Sequence, residues 1–351
     1  MDTPRQQRPV VHLIGSVPLE DPETVMRALS AALGPHLRRM PDGETGRRAR
    51  WIAFVQRHLQ QHADMEVDTD VPVYQFTQWD GKLIREWQQL KFKAGVEPSA
   101  VVFHTGYADD AMHGFAIFDR LQDAGVIPAA VKYQVCIATP LAIAYMFIAP
   151  RSRADFTRVY TQHLRQEVNR IAQSLPHDRL AIQWDVCQEV LMWEGYFAQP
   201  PHYQEEIFSV LGQVGNAVPD TIELGYHLCY GSPLDEHCIQ PRDMANMVDI
   251  THGIVAAVNR PIHYVHMPVP RDRNDDAYFQ PLRHLTLPAG TDLYLGLVHD
   301  GDEAGNAAKL TTARQYTAVA GVGSECGWGR SDPKRLPAIL AAHHTLVEMM
   351  S

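Results

Sequence analysis

Short runs of β-branched and apolar residues alternate along the chain with longer stretches in which apolar residues recur at helical spacing. Strands that alternate with helices in this way predict parallel βαβ units. The eight predicted strands are residues 10–14, 100–103, 131–136, 180–184, 222–226, 262–265, 293–297 and 319–322. The predicted helices include residues 23–33, 109–124, 153–175, 203–214, 243–258, 304–318 and 333–350.

Eight strand and helix units in 351 residues suit a (β/α)8 barrel, an α/β fold, better than an open sheet. The segment of about residues 40–98, after the first predicted strand, would be an insertion of extra helices and a short strand near residues 73–76 that covers one end of the barrel. No repeat or linker divides the chain, so residues 1–351 are expected to form a single domain. The first strand leads into Ile14-Gly15-Ser16 and not into a glycine-rich phosphate motif, which argues against a dinucleotide-binding fold.

The formal charge of −10, from 31 basic and 41 acidic residues, argues against a basic surface for nucleic acid or an anionic membrane. The amino terminus has no apolar signal core, and Thr139 and Pro140 break the longest apolar stretch, residues 136–150. Five cysteines are an odd number and indicate a reducing compartment. We therefore expect a cytoplasmic protein with small-molecule partners, and leave open whether it forms a homo-oligomer.

A candidate metal site follows the predicted strands. His227 and Cys229 are two residues apart after the fifth strand, Cys326 follows the eighth and precedes Gly327, and His266 follows the sixth. Two nitrogens and two sulfurs would bind Zn²⁺ as a tetrahedron at about 2.0 to 2.3 Å. A buried histidine beside an inert cysteine is the alternative for the first pair, and a contact with substrate or with a ligand is the alternative for His266. Three other residues compete with His266 for the fourth ligand position: Glu325, His299 and Asp300. The remaining cysteines are expected to be core or loop residues: Cys136, Cys187 and Cys238.

Carboxylates form a second candidate group. Asp185 ends the fourth predicted strand, where barrels carry functional side chains, and Glu189 follows one helical turn later. Glu44 lies in a loop bounded by glycines. The alternative for Glu44 is a carboxylate that stabilises the start of a helix.

Taken in order, these residues resemble the catalytic barrel of cobalamin-independent methionine synthase, in the superfamily that also holds uroporphyrinogen decarboxylase. The motifs that carry the resemblance are Ile14-Gly15-Ser16, Asp42-Gly43-Glu44, Gln183-Trp184-Asp185, His227-Leu228-Cys229 and Cys326-Gly327. The resemblance implies that the first motif contacts the carboxylate of a thiol substrate and that Glu44 faces a polar group of the substrate. It also implies zinc binding by the last two motifs.

The chain departs from that family at two positions. The family has a zinc-binding glutamate at the end of the sixth strand, where this chain has Val265-His266-Met267, and a histidine in the place of Asp42. The family's long amino-terminal duplicated barrel has no counterpart here. The resemblance therefore does not identify the thiol or the alkyl donor.

The leading hypothesis is a zinc-dependent transferase that activates a small thiol for S-alkyl or S-methyl transfer. His227, Cys229, Cys326 and His266 would bind zinc. Asp185, Glu44 and Glu189 would orient substrate or donor, with Asp185 or Glu44 as the proton source. The alternatives are a hydrolase or lyase that uses zinc-bound hydroxide, a non-catalytic barrel with structural zinc, and a metal-free decarboxylase or lyase.

Overall fold

The structure is a computed structural model that describes residues 9–350. Residues 1–8, where the sequence predicts no signal peptide, lie outside the described residues. The strands are β1 (Val10–Val11), β2 (Arg39–Pro41), β3 (Met65–Val67), β4 (Tyr74–Thr77), β5 (Leu83–Trp87), β6 (Leu90–Phe92), β7 (Lys132–Ala138), β8 (Leu180–Val186), β9 (Glu223–Leu228), β10 (Tyr264–Pro268), β11 (Asp292–Gly296) and β12 (Gly321–Val322). The α-helices are α1 (Pro22–Leu33), α2 (Ala53–Gln61), α3 (Tyr107–Asp123), α4 (Pro140–Phe147), α5 (Pro150–Ser174), α6 (Gln188–Trp193), α7 (Tyr203–Gly215), α8 (Ala245–Ala257), α9 (Asp276–Phe279), α10 (Glu303–Ala313) and α11 (Leu336–Met349). Among these helices none is both long and apolar enough to cross a membrane.

Eight strands of the described chain form one curled parallel sheet in the order β1-β12-β11-β10-β9-β8-β7-β2. A parallel bridge between Val11 and Leu37, just before β2, joins the two ends of this order. Strands β7 to β11 are buried along nearly all of their length, as expected for a parallel sheet with helices outside and side chains inside. The predicted (β/α)8 barrel is therefore confirmed.

The second barrel strand differs from the prediction. It is β2, Arg39–Pro41, and not residues 100–103, which belong to no strand of the described structure. A three-residue strand that begins with arginine has no alternating apolar pattern to detect. Arg39 is buried there because its guanidinium pairs with Glu223 of β9 at 2.6 Å.

The insertion also differs in position and content. It lies after the second barrel strand, since β2 precedes it, and runs over residues 42–106 up to α3. This fully described segment contains α2 and two small antiparallel sheets, β3 with β6 and β4 with β5, where we expected extra helices and one strand. The predicted strand near residues 73–76 is β4. Phe76 and Trp87, from the two strands β4 and β5, are buried in the same apolar cluster as the barrel core. The organisation of residues 1–351 as a single domain stays a prediction.

Candidate active site

Three candidate residues lie side by side near the carboxyl ends of neighbouring strands. Asp185 on β8 is the register partner of His227 on β9, which is the partner of His266 on β10. Alternate residues of a strand face the same side. Cys229 continues this register past the end of β9, because its N–H donates to the carbonyl of Val186 at 3.0 Å.

Cys326 reaches this group from the loop after β12. Its Sγ lies 3.6 Å from Sγ of Cys229. The ligand atoms of His227, Cys229 and Cys326 all lie within 4.8 Å of one another. The loop approaches this closely because residue 327 is a glycine: a Cβ on Gly327 would lie 2.3 Å from Oγ of Ser16. The last strand therefore delivers a second sulfur beside the first.

The chemistry and spacing of these three side chains fit a zinc ion. One imidazole and two thiols are a typical zinc donor set. Sulfurs bound tetrahedrally at about 2.3 Å lie about 3.8 Å apart, close to the 3.6 Å between Cys229 and Cys326. His227 and Cys229 are buried and Cys326 is partly exposed, so the group opens on the side of Cys326.

His266 lies behind His227 and outside the three-residue group. The Nδ1 atoms of the two rings are 2.8 Å apart. Burial lowers the pKa of both imidazoles, that of His227 to about 4. Because Nδ1 of His227 is engaged in this contact, Nε2 is the nitrogen left for a metal, and His227 also hydrogen-bonds Cys326. The assignment of His266 as a zinc ligand stays a prediction.

Asp185 and Glu44 are buried carboxylates on the same cavity. Burial, followed by the charge of Glu44, raises the pKa of Asp185 well above its usual range, while a hydrogen bond from Nε2 of Gln183 at 2.9 Å acts in the opposite direction. Burial also raises the pKa of Glu44 to about 7, despite the nearby Arg48. The charge of Asp42 acts on Glu44 in the same direction as burial, so both carboxyls hold a proton more tightly than exposed ones do.

The loop after β2 holds Glu44 in place. The Glu44 N–H donates to Oδ1 of Asp42 at 2.9 Å, and Arg48 donates to Oδ2 of Asp42 at 2.8 Å. Glu44 itself has a φ of 49°, an uncommon conformation for a residue with a side chain. Gly43, with a φ of 81°, lies where a Cβ would be 2.6 Å from Cγ2 of Val25. Asp42 therefore stabilises the loop and leaves Glu44 to face the cavity.

The three possible zinc ligands, His227, Cys229 and Cys326, line one cavity together with Asp185 and Glu44. The cavity has a volume of about 680 Å³, part of which is open to solvent. The predicted site residues that line it are Ile14, Gly15, Ser16, Glu44, Asp185, His227, Cys229 and Cys326. His266 and Glu189 do not line it. The side chain of Glu189, on α6, is fully buried. Burial raises the pKa of Glu189 to about 7.

Solved structures with the same architecture include two transferases. A B12-independent methionine synthase from a Shewanella species, in complex with selenomethionine, matches with a TM-score of 0.60 and 13% identity over 98% of each chain. A methyltransferase from Methanosarcina mazei matches with a TM-score of 0.56 and 10% identity over 98% of this chain and 95% of that one. This chain has the methionine synthase fold. No protein-family model matches the sequence, and no curated protein sequence matches it.

On this methionine synthase fold, the other residues considered for the fourth ligand position have partners elsewhere. Glu325 pairs with His237 at 2.9 Å, and Asp300 pairs with Arg335 at 2.7 Å. Both acids and His299 line a polar pocket that adjoins the cavity. None of these three belongs to the group of ligand atoms.

The cavity also contains residues that sequence reasoning missed. Arg330 donates to Sγ of Cys326 at 3.1 Å and lines the cavity wall. Cys187, expected in the core, lines the cavity and hydrogen-bonds Cys229. Trp51 lines the cavity with a φ of 48°. The sequence contains a signal for two of these three residues. Arg330 is four residues beyond Cys326 in the same loop, and Cys187 directly follows the end of β8.

Proposed function

We propose that this protein is a zinc-dependent transferase that activates a small thiol for S-alkyl or S-methyl transfer. The observation that carries the proposal is the meeting of His227, Cys229 and Cys326 within 4.8 Å of one another on the wall of a cavity. Three protein ligands would leave one position of a tetrahedron for substrate, as catalytic zinc sites require. The names of the two similar structures, a methionine synthase and a methyltransferase, support methyl transfer as the reaction class.

The residues around the ligand group suit an anionic sulfur. When bound, zinc would supply the positive charge that keeps a substrate thiol deprotonated at neutral pH. Arg330 adds a fixed positive charge beside Cys326 and is available to the acidic group of a substrate. Ser16 lies against Gly327 and Gly15 lies against Glu44 on the wall of the same cavity, and both would contact the substrate.

Asp185 and Glu44 supply the proton chemistry. The substrate thiol loses its proton, and its sulfur forms a bond to the alkyl carbon of the donor. The bond from that carbon to the leaving group breaks, and the electron pair leaves with the group. Because burial raises the pKa of both carboxyls, and the charge of Glu44 raises that of Asp185 further, one of them would donate a proton to the leaving group.

Zinc-edge X-ray absorption with a panel of small thiols tests the proposal. The purified protein should contain about one tightly bound zinc ion, and the correct thiol should add a sulfur neighbour to it. A proton should be released into weak buffer, and a suitable alkyl donor should then alkylate that thiol. The double variant Cys229→Ser, Cys326→Ser is the control and should do none of this.

The same experiment separates the alternatives. A zinc shell and buffer pH that no thiol changes would contradict thiol transfer. Turnover of an ester, amide or similar substrate by such a protein would then support the hydrolase or lyase. Full zinc without turnover would support the structural-zinc alternative.

A further inference from the structure

A second group of metal-ligating side chains lies at the opposite end of the barrel. His36 precedes β2, while His344 and Glu348 are one turn apart on α11. Their ligand atoms all lie within 4.8 Å of one another. These residues are near the amino-terminal ends of β1 and β2, whereas the cavity described above is at the carboxyl ends.

The contacts of His36 leave one ring nitrogen facing the other two side chains of the group. With the hydrogen on Nδ1, His36 donates to the carbonyl oxygen of Pro9 at 3.4 Å. Its Nε2 then presents a lone pair, yet it lies 2.8 Å from Oε1 of Glu348. Two acceptors at this distance repel unless a proton or a metal ion lies between them. A metal-binding histidine usually donates one nitrogen to a backbone carbonyl or a carboxylate and binds the ion through the other.

His344 makes a metal ion the better explanation than a proton alone. Its ring centroid lies 5.8 Å from that of His36, at 62°. An ion pair of His36 with Glu348 involves two side chains only, whereas the ligand atom of His344 lies within 4.8 Å of both. Residues at positions i and i+4 of a helix lie on one face, so α11 presents His344 and Glu348 together.

We propose that His36, His344 and Glu348 form a second, structural site for a divalent transition metal of the zinc class. Two imidazoles and one carboxylate suit Zn²⁺, Ni²⁺ or Co²⁺ and not Mg²⁺ or Ca²⁺, which prefer oxygen ligands alone. The site contains no sulfur and is independent of the proposed transferase activity.

The position of the group explains what such an ion would do. The barrel closes at the bridge between Val11 and Leu37, and His36 is the residue before Leu37. The ion would link the segment beside this bridge to α11, which packs on β1. It would therefore hold the last helix of the chain against the point where the first two barrel strands meet.

Metal counting on the full chain tests the proposal. With the cysteine site already filled by zinc, further Zn²⁺ or Ni²⁺ should bind with a stoichiometry of about one ion. With Ni²⁺ as the second ion, its nickel-edge spectrum should contain only nitrogen and oxygen neighbours, and Mg²⁺ should not compete. Added zinc should also raise the midpoint of thermal unfolding, because the ion binds the folded chain.

The variants His344→Ala and Glu348→Gln should weaken this second ion by at least about tenfold and abolish the zinc-dependent rise in midpoint. Both side chains are exposed, so the variants are expected to fold. His202→Ala is the matched control: His202 and Glu205 form an exposed pair at 3.4 Å that belongs to no three-residue ligand group in residues 9–350. Absence of a second ion from the unmodified protein, or equal binding by all variants, would overturn the proposal and leave a plain ion pair between His36 and Glu348.

Discussion

Nδ1 of His227 lies 2.8 Å from Nδ1 of His266, and both rings are buried. One of the two nitrogens must donate the hydrogen in this contact. A metal-binding histidine is normally oriented by such a bond on its second nitrogen, which fixes the ring and its tautomer. His266 is therefore placed to orient His227 whether or not it also reaches the ion.

The variant His266→Ala should lower zinc affinity by about 10- to 100-fold, because His227 loses the contact that orients its ring. His266→Asn should recover part of the loss by restoring a hydrogen-bonding partner. Zinc transfer to a chelator measures the affinity. The zinc-edge spectrum decides between the two roles, since the number of nitrogen neighbours falls only if His266 is a ligand. Unchanged affinity in His266→Ala would contradict both.

The variants Cys229→Ser and Cys326→Ser should each remove most of the bound zinc, because each replaces a thiolate by a weak hydroxyl ligand. Cys238→Ser is the matched control. Cys238 is also buried, but its sulfur packs against Gly231 and is not in the ligand group. Metal analysis of the purified variants is the measurement. Full zinc in the Cys229 and Cys326 double variant would refute the site.

Transfer activity should fall as the pH rises through about 7, because the pKa of Glu44 is raised to about 7 by burial and the pair must keep its proton to act as an acid. Glu44→Gln removes the charge that helps to raise the pKa of Asp185, so this decline should move to lower pH. Asp185→Asn should fold and retain zinc but lose turnover. The pH profile of the rate measures both effects. An unfolded Asp185→Asn variant whose soluble fraction is fully active would identify Asp185 as structural.

Glu189→Gln should stabilise the protein at neutral and higher pH. Burial holds the pKa of Glu189 at about 7 in the folded chain, against 4.5 without burial. The folded state therefore loses stability as the pH rises between these two values, by up to about 3 kcal/mol. The amide stays neutral and avoids this loss. Denaturation at about pH 8 and about pH 4.5 should show a gain only at the higher pH, and none at either for the exposed Glu20→Gln. An equal gain at both would contradict the explanation.

Gly43→Ala should destabilise the chain more than Gly46→Ala. Both glycines have positive φ, 81° and 61°, but only at Gly43 would a Cβ collide with Val25. The conformation alone costs about 1 to 2 kcal/mol for alanine, and crowding adds about 1 to 3 kcal/mol. Because the loop positions Glu44, Gly43→Ala should also impair turnover. Urea denaturation gives the two free energies of unfolding, and equal losses would show that the collision is relieved at no cost.

The sequence by itself determined the barrel and which side chains meet at its carboxyl end. Alternating strands and helices determine a parallel barrel, because each apolar face must be covered. The carboxyl ends of parallel strands then meet at one edge. On that basis the sequence assigns four side chains to one cavity, because each lies at or just after the end of a strand: His227, Cys229, Cys326 and Asp185.

Only the tertiary structure decided features that depend on pairing between distant segments. The strand at Arg39–Pro41 exists because Arg39 finds Glu223 across the barrel, and no local pattern reports that partner. His266 and His227 are register partners, yet only His227 lines the cavity, and the spacing of residues along the strands does not reveal this difference. Glu189 is buried away from the cavity although it is one helical turn from Asp185. The group of His36 with His344 joins segments about 300 residues apart in sequence, because closure of the barrel brings its first strands against its last helix.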